Sequence, residues 1–315
     1  MTHRIGWSLV VAGFIVAGAV AAPFDVELVR PSYHGELRID GSTLVYVIAD
    51  AIAGKFKDQH PRVEITLGKL STGDGFDRFC AGETQINAAS RRITDLEAGA
   101  CQQNGLKYLE MIVAWDAAVL VVHKDNTWAG KLTAAQLHQI WRPEENNVKH
   151  AKKWSDLDPK WPKAELRLSG PAAPGAMAKV FARLVNGDEA SLRDDYAATG
   201  GVELPAALTE DKHALALIPQ ALWRRHKDKV QTVAVAFEAG KHVTFTPEAV
   251  SDGSYPIRRP LYYYVNRAAL KEPQVVGFLA TQLNSPHLVR EAGFIELSEA
   301  ASKLQREELA KALRK

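Results

Sequence analysis

Two short turns rich in small and hydroxyl-bearing residues carry the side chains most suited to chemistry. The first is Asp40-Gly41-Ser42-Thr43 and the second is Ser71-Thr72-Gly73. Each runs into a segment with helical spacing of apolar residues. Such a turn presents backbone N–H groups and hydroxyls at the positive end of a helix dipole, which favours an anion. Ser and Thr are also ordinary helix caps. Together with Ser90-Arg91, the two turns nevertheless predict one oxyanion cradle built from several loops.

The elements around these turns alternate between strands and helices. Strands are predicted at residues 37–39, 63–67 and 85–89, and helices at 44–56, 73–81 and 95–103, from their apolar spacing. Alternation of this kind predicts an α/β fold with a mainly parallel sheet covered on both faces. In open sheets of this type, ligands bind at the carboxyl ends of the strands. The Ser/Thr turns and Ser90-Arg91 all fall at such ends.

Two longer apolar segments, residues 112–123 and 255–265, enclose a middle block that has helices of its own at 133–141 and 176–185. Two strand-like crossings predict two lobes joined by a two-stranded hinge, with a small ligand in the cleft between them. We expect lobe one to comprise residues 22–112 and 256–315, and lobe two residues 113–255. The last segment, 298–315, predicts an exposed amphipathic helix.

Residues 1–21 are typical of a secretory signal peptide. Arg4 gives a short basic start, an apolar run follows, and Ala19-Val20-Ala21 has the form of a cleavage site. Cleavage near Ala21 predicts an exported periplasmic protein, and an uncleaved anchor is the alternative. The formal net charge of the 315-residue chain is only +2, which does not favour nucleic-acid or anionic-membrane binding.

The chain has two cysteines, Cys80 and Cys101. In an oxidising compartment this pair is expected to form a structural disulfide, which would stabilise the fold by about 3 kcal/mol in the chain-entropy model. A metal site is not expected, because neither cysteine has a histidine nearby and the ten histidines form no ligand pair. A serine hydrolase is not expected either, since the chain lacks a G-x-S-x-G turn.

Several ordered motifs carry a resemblance to a known family. They extend over roughly residues 36–297 and include Gly41-Ser42-Thr43, Cys80-Ala81-Gly82-Glu83-Thr84, Ala89-Ser90-Arg91-Arg92-Ile93, Val113-Ala114-Trp115-Asp116, Gly170-Pro171 and Tyr255-Pro256-Ile257-Arg258-Arg259-Pro260-Leu261. In these residues the chain resembles the periplasmic phosphate-binding proteins of ABC importers. The resemblance implies the two-lobe type 2 periplasmic-binding-protein fold.

The resemblance also implies a set of ligand contacts. Ser42 and Thr43, with the N–H of Leu44, would hold oxygens at the first helix start, and Thr72 and Gly73 would do so at the second. Ser90 would add a hydroxyl, and Arg91 a guanidinium able to bond two oxygens. Arg92 is expected to be structural, and Asp116 to have a hydrogen-bonding role in the hinge; a ligand role for Arg91 competes with an ion pair.

The family's fourth element is replaced. Where its members have Asp-Ser-Gly-Thr at the start of a lobe-two helix, this chain has Pro174-Gly175-Ala176-Met177. Pro174 near the first helical position and the backbone at Gly175 could still offer N–H donors. Asp74 is a second departure, because an acidic side chain at the rim of an anion cradle repels the ligand unless it points away or pairs with an arginine. With no lobe-two carboxylate to accept phosphate's proton, weak discrimination between phosphate and sulfate is expected.

The sequence therefore predicts a monomeric solute-binding protein rather than an enzyme, without a cofactor, that captures a small oxyanion, phosphate foremost, for an ABC permease. Two other functions stay open. One is a sensor or partner-recognition module whose cleft has changed its ligand, which the altered lobe-two segment favours. The other is a hydrolase of phosphate esters that uses Ser42.

Overall fold

The structure is a computed structural model, and it describes residues 33–145, 148–199, 203–238 and 240–314. The predicted signal peptide lies outside these residues. The helices within them, numbered in chain order, are α1 (Thr43–Gln59), α2 (Thr72–Cys80), α3 (Asp95–Gln103), α4 (Ala134–Trp141), α5 (Ala176–Asn186), α6 (Ala207–Glu210), α7 (Gln220–His226), α8 (Pro247–Asp252), α9 (Pro273–Leu283), α10 (Pro286–Glu291) and α11 (Glu299–Leu313).

The strands are β1 (Gly35–Gly41), β2 (Val63–Leu67), β3 (Ile86–Ala89), β4 (Tyr108–His123), β5 (Lys131–Thr133), β6 (Arg167–Pro171), β7 (Ala197–Thr199), β8 (Ala214–Pro219), β9 (Val230–Thr232), β10 (Ala234–Glu238), β11 (Lys241–Val243) and β12 (Arg258–Asn266). The main sheet runs in the order β2-β1-β3-β12-β4-β8-β6-β7, with β9 beside β4. A small second sheet contains β11, β10 and β5. The fold is the two-lobe α/β architecture that the sequence predicts.

Both lobes are built on parallel strand pairs. In lobe one, β1 pairs in parallel with β2 and β3. In lobe two, β6 pairs in parallel with β7 and β8. Parallel pairing brings the carboxyl ends of these strands to one edge in each lobe. Consequently the turns that follow β1 and β3, and the turn that follows β6, lie where ligands of open α/β sheets bind.

Strands β4 and β12 connect the two lobes. The first part of β4 pairs antiparallel with β12, and the second part, from Ala118 to Val122, pairs antiparallel with β8. One long strand therefore belongs to both halves of the sheet. The sequence predicts a strand at residues 112–123, but β4 begins earlier, at Tyr108. The strand extends because the polar residues at its start have partners on β12: Glu110 accepts a hydrogen bond from the Tyr264 hydroxyl at 2.7 Å.

The buried apolar residues form separate cores on either side of the crossing strands. One core contains α1, β1 and α9, including Ile48, Phe56 and Phe278. The other contains α4, α5 and β8 and includes the fully buried Trp141 and Trp154. Trp161 packs its ring against Trp154, with centroids 5.8 Å apart. The indole rings are therefore packing residues, as core aromatic pairs commonly are.

Two further elements brace lobe one. Cys80 at the end of α2 and Cys101 in α3 form the expected disulfide. The C-terminal helix α11 is more closely attached than a solvated terminal helix. Its Leu309 is fully buried, and its Gln305 side chain accepts a hydrogen bond from the backbone N–H of Ile112 at 3.0 Å. Within the described residues, no helix combines the length and apolar character needed to cross a membrane.

Candidate functional site

Three turns of lobe one meet beside the carboxyl ends of β1 and β3. The N–H of Ser42 donates to the carbonyl of Ala88 at 2.8 Å, and the N–H of Thr43 donates to the carbonyl of Leu70 at 3.2 Å. Ser42 and Leu70 also form an isolated parallel bridge. The turn after β1 is thus held between the segment that leads into α2 and the end of β3. This arrangement places the predicted cradle residues of lobe one side by side.

The start of α1 is closed by its own cap. The N–H of Leu44 donates to the Ser42 hydroxyl oxygen at 3.3 Å, and the N–H groups of Val45 and Tyr46 donate to the Ser42 carbonyl. With Thr43 bonded to Leu70, every backbone donor of the first helical turn has a partner. Ser42 itself is buried, whereas the side chain of Thr43 is exposed. The N–H of Leu44 would have to leave Ser42 before it could bind a ligand.

The start of α2 is more open. Ser71 caps it, accepting the N–H of Asp74 on its hydroxyl oxygen at 3.1 Å and the N–H of Gly75 on its carbonyl at 3.1 Å. The N–H groups of Thr72 and Gly73 have no hydrogen-bond partner among the residues that the structure describes. Two backbone donors therefore remain available at the positive end of this helix, where an anion is favoured.

The acidic side chain of Asp74 turns back onto this cap. The Ser71 hydroxyl donates to its carboxylate oxygen Oδ2 at 2.8 Å. A carboxylate in the first turn of a helix stabilises the helix dipole. The sequence leaves open where Asp74 lies, and the structure places it in the cap of α2, exposed and close to the available N–H donors.

Thr72 and Ser90 join the second turn to the third. Their hydroxyl oxygens are 3.2 Å apart, and the N–H of Ser90 donates to the Thr72 hydroxyl oxygen at 3.2 Å. Thr72 is 9% exposed, so its hydroxyl is held in a protected position. Because that oxygen already accepts from Ser90, its own proton is available to a ligand or to the Ser90 hydroxyl.

Arg91 forms a two-pronged ion pair with Glu97. Arg91 Nη1 donates to Glu97 Oε2 at 2.8 Å, and Nη2 donates to Oε1 at 2.7 Å. Burial raises the pKa of the Glu97 carboxyl, but hydrogen bonds from Arg91 and Thr94 outweigh it, and the net pKa is lowered. The same pair raises the pKa of Arg91. The sequence predicts either a ligand contact or an ion pair for Arg91, and the structure shows the ion pair. The Nε–H of Arg91 has no partner among the described residues.

Glycines allow α2 to approach β1 and β3 closely behind the cradle. A Cβ on Gly75 would lie 2.3 Å from Asn87 Oδ1 and 2.5 Å from the Cα of Gly41. Asn87 is fully buried, and Gly41 has a φ of +119°, which favours glycine. The Arg78 side chain contacts the buried carboxylate of Asp40 on the same side. The position of α2, and hence of its free N–H groups, depends on this close approach.

Lobe two presents a helix start without any side-chain cap. Gly175 is the N-cap of α5 and has no side chain that could bond the helix. Because the cap is Gly175, Pro174 lies before the cap and not at the first helical position. Gly175 donates its N–H to Ala172 at 2.9 Å, and the N–H of Lys179 donates to Gly175. In the described part of the chain, the N–H groups of Ala176, Met177 and Ala178 have no partner. Helix α5 lies close to the crossing strand β12.

An ion pair links the two crossing strands. Arg259 on β12 donates from Nε to Asp116 Oδ2 on β4 at 2.8 Å, its Nη2 lies 2.8 Å from the same oxygen, and each side chain is about one-eighth exposed. Burial raises the pKa of Asp116, and Arg259 offsets part of that rise. The adjacent Arg258 stacks over the Trp115 ring at 3.8 Å. The side chains of Asp116 and Arg259 are thus engaged with each other in the hinge region.

The structure brings most of the lobe-one residues that are predicted to contact the ligand close together, and it places Glu97 beside Arg91. Ser42, Thr72, Gly73, Ser90 and Arg91 come together, while Gly175 belongs to the separate start of α5. The sequence motifs do not point to Glu97 as part of the site, although Thr94-x-x-Glu97 is a visible capping-box pattern, which the structure forms. Its pairing with Arg91 depends on where the turn after β3 places the guanidinium. Among the described residues, no cluster of His, Cys, Asp and Glu has the arrangement of a metal site.

Comparisons with known proteins agree on one family. The family model described as "PBP superfamily domain" matches residues 29–281. The chain is 31% identical over 260 residues to Protein SphX of Synechococcus elongatus, covering 82% of this chain and 76% of the relative. It is 30% identical over 277 residues to the phosphate-binding protein PstS of Staphylococcus aureus, covering 87% and 82%. A solved "possible phosphate binding protein" from Planctomyces limnophilus superposes with a TM-score of 0.69 at 31% identity, covering 89% and 99%.

Proposed function

This chain belongs to the PBP superfamily, among the phosphate-binding solute-binding proteins, and we propose that it captures inorganic phosphate between its two lobes. The observation that carries the proposal is the meeting of three hydroxyl-bearing turns around the open start of α2. Thr72 and Gly73 offer free N–H groups there, and Ser90 and Arg91 stand beside them. Hydrogen bonds to charged groups contribute about 1.5–3 kcal/mol each, so a few such donors are enough for tight binding.

Capture would proceed by closure of the lobes. Phosphate first binds the lobe-one cradle, and lobe two then closes over it by bending of β4 and β12. The free N–H groups of Ala176, Met177 and Ala178 at the start of α5 complete the shell. A ligand that bonds both lobes stabilises the closed state, because it has contacts there that the open state lacks. Release would follow when a membrane permease of the ABC type reopens the lobes.

The protein would act as a monomer in the periplasm, after cleavage of the signal peptide near Ala21. Its relatives are named as phosphate-binding proteins, which supports binding rather than turnover. The hydroxyls of the cradle support this too. Ser42 contacts the N–H of Leu44, Ser71 contacts Asp74, and Ser90 contacts Thr72; within the described residues none of the three bonds a histidine that could activate it.

A sensor or partner-recognition role is the second candidate, favoured by Pro174-Gly175-Ala176-Met177 in the place of a hydroxyl-bearing helix start. The two roles differ in their partners. Affinity capture with the tagged mature protein should recover an ABC permease if the role is transport. Recovery of a receptor kinase in place of the permease would favour a sensing role.

Isothermal titration of the mature, phosphate-stripped protein with phosphate at neutral pH tests the proposal. We expect a dissociation constant in the micromolar range or tighter, about −8 kcal/mol or more favourable. Absence of binding by phosphate would contradict it. Incubation with a chromogenic phosphate ester in the same buffer is the companion measurement, and turnover that is lost in Ser42→Ala would favour the hydrolase that the sequence leaves open.

A further inference from the structure

The peptide group between Arg92 and Ile93, just after the turn that follows β3, is held from both sides. Its carbonyl oxygen, on Arg92, accepts a hydrogen bond from Arg91 Nη1 at 3.0 Å. Its N–H, on Ile93, donates to the hydroxyl oxygen of Tyr264 at 3.0 Å. A peptide group is planar and rigid. Tyr264 on one side therefore fixes the direction of the carbonyl that the Arg91 guanidinium uses on the other.

Tyr264 is itself firmly held. It lies on the crossing strand β12 and is fully buried. Its hydroxyl donates to Glu110 Oε2 at 2.7 Å, which leaves the oxygen lone pairs for the N–H of Ile93. Burial raises the pKa of Tyr264, so the hydroxyl keeps its proton at neutral pH and can donate and accept at once.

The Tyr264 ring supports the same guanidinium by a second route. It packs edge-on against the ring of Phe76 on α2, with the ring centroids 4.9 Å apart. The guanidinium carbon of Arg91 lies over that Phe76 ring, 5.8 Å from its centroid. Phe76 is fully buried, so its ring is fixed in the packing between α2 and β12. One tyrosine thus contacts both the peptide group and the ring against which Arg91 lies.

We propose that Tyr264 is a positioning residue for phosphate capture, which directs the Arg91 guanidinium toward the anion through the Arg92–Ile93 peptide group and Phe76. The inference rests on the proposed function. The Arg91 side chain is 39% exposed, so burial alone does not fix it. A charge-assisted hydrogen bond depends on direction as well as distance. Loss of this support should lower the affinity although Arg91 and its ion pair remain.

The neighbouring attachment of the same turn is weaker. Arg92 donates from Nε to the Tyr262 hydroxyl oxygen at 3.2 Å, and its Nη2 lies 3.4 Å from Glu110 Oε1. The Arg92 side chain is 72% exposed, and exposed ion pairs contribute little. The positioning role therefore belongs to the buried Tyr264 and not to Arg92.

Tyr264→Phe tests the role because it removes the hydroxyl and keeps the ring. Tyr263→Phe is the matched control: Tyr263 is the adjacent, fully buried residue of β12, and its hydroxyl donates to Gln282 Oε1 at 3.4 Å in the other core. By isothermal titration, phosphate affinity should fall about 3- to 10-fold in Tyr264→Phe and less than about 2-fold in Tyr263→Phe. Each variant loses one buried hydrogen bond, so their melting temperatures should fall by similar amounts.

Two further measurements separate positioning from stabilisation of the fold. In a protein that already carries Arg91→Ala, Tyr264→Phe should lower the phosphate affinity less than about 1.5-fold, because the group that it positions is gone. Amide hydrogen exchange of Ile93, measured by NMR without phosphate, should be at least about 100-fold slower in wild type than in an unstructured chain. The exchange should be about 10-fold faster in Tyr264→Phe and unchanged in Tyr263→Phe.

The outcomes distinguish this inference from the proposed function. If wild type binds phosphate but Tyr264→Phe binds it as tightly, or loses the same factor with and without Arg91→Ala, the positioning role is overturned. Exchange of the Ile93 amide at the unprotected rate in wild type would overturn it without any variant. If wild type binds no phosphate while the Ile93 amide is protected, the proposed function fails, and the role of Tyr264 in capture fails with it.

Discussion

Helices α2 and α5 both begin at the carboxyl end of a parallel strand, yet their first turns are built differently. The start of α2 has a serine cap, a neighbouring threonine, an arginine and two free N–H groups. The start of α5 has a glycine cap with no side-chain bond and three free N–H groups. A polar side chain at a helix start can bond a ligand, but it also occupies backbone N–H groups. Ser71 accepts the N–H of Asp74, whereas the first three N–H groups of α5 have no side-chain partner. The proposed contribution of lobe two to anion binding therefore rests on backbone N–H groups and not on hydroxyl groups.

The two helix starts also differ in charge. The one guanidinium in the lobe-one cradle is neutralised by Glu97, and Asp74 adds a negative charge nearby. The start of α5 has no acidic residue in its first turn. Binding in lobe one should thus depend on the direction of individual hydrogen bonds, and binding in lobe two on the helix dipole and backbone alone. Substitutions in lobe one should therefore lower the phosphate affinity more than substitutions in lobe two.

The largest effect is expected at Arg91. Arg91→Ala removes a charged donor and also leaves the largely buried Glu97 carboxylate without its cationic partner, so that its negative charge repels an anion. We expect phosphate affinity to fall more than about 100-fold by isothermal titration. Arg92→Ala is the matched control, because Arg92 contacts Tyr262 and Glu110 instead, and it should change the affinity less than about 3-fold. Equal losses in both variants would contradict a ligand role for Arg91.

A smaller loss is expected at Thr72. Thr72→Val keeps the shape of the side chain but removes the hydroxyl that joins the second turn to Ser90. Phosphate affinity should fall about 10- to 30-fold. Thr72→Ser should restore the affinity to within about 3-fold of wild type, since it returns the hydroxyl. If the Thr72→Val variant binds phosphate as tightly as wild type, the Thr72 hydroxyl does not contact the ligand.

The contribution of lobe two can be tested by removing a single backbone donor. Gly175 is already extended, with φ of −60° and ψ of 156°, so Ala176→Pro should be tolerated at the first helical position while deleting one N–H group. We expect phosphate affinity to fall about 3- to 10-fold with no loss of thermal stability.

Glu299→Pro at the start of α11 is the control for this substitution. Its cap, Ser298, is likewise extended, with φ of −61° and ψ of 159°, and α11 is not part of the proposed site. The control should leave phosphate affinity unchanged. If Ala176→Pro also leaves it unchanged, the start of α5 does not bind the anion.

The smallest effect should be a gain. Asp74→Asn removes a negative charge near the free N–H groups of α2 and keeps an oxygen that can accept from Ser71. Phosphate should bind about 2- to 4-fold more tightly at low salt, and the gain should shrink at high salt as charges are screened. Asp77→Asn, farther along the same helix, should increase the phosphate affinity by a smaller factor. A loss of affinity in Asp74→Asn would mean that the carboxylate supports the site instead of opposing the anion.

The sequence predicts much of this comparison, because helix caps and strand alternation are local features. The turn at Ser42, the turn at Thr72 and the hydroxyl at Ser90 are all visible in order along the chain. The openness of each helix start is not visible, since it depends on neighbours: Leu70 and Ala88 hold the turn after β1. The pair of Arg91 with Glu97 is also a product of tertiary packing. Likewise, the capping role of Asp74 depends on the conformation of Ser71, which composition alone does not determine.

A crystal structure of the mature protein with phosphate bound would show directly whether the starts of α2 and α5 hold the anion together. We expect one phosphate with oxygens within hydrogen-bond distance, about 2.7–3.2 Å, of the N–H of Gly73, of the Thr72 hydroxyl, of Arg91 and of the N–H of Ala176. Phosphate that contacts only lobe one when the lobes are closed, or that binds away from α2, would contradict capture by the two helix starts.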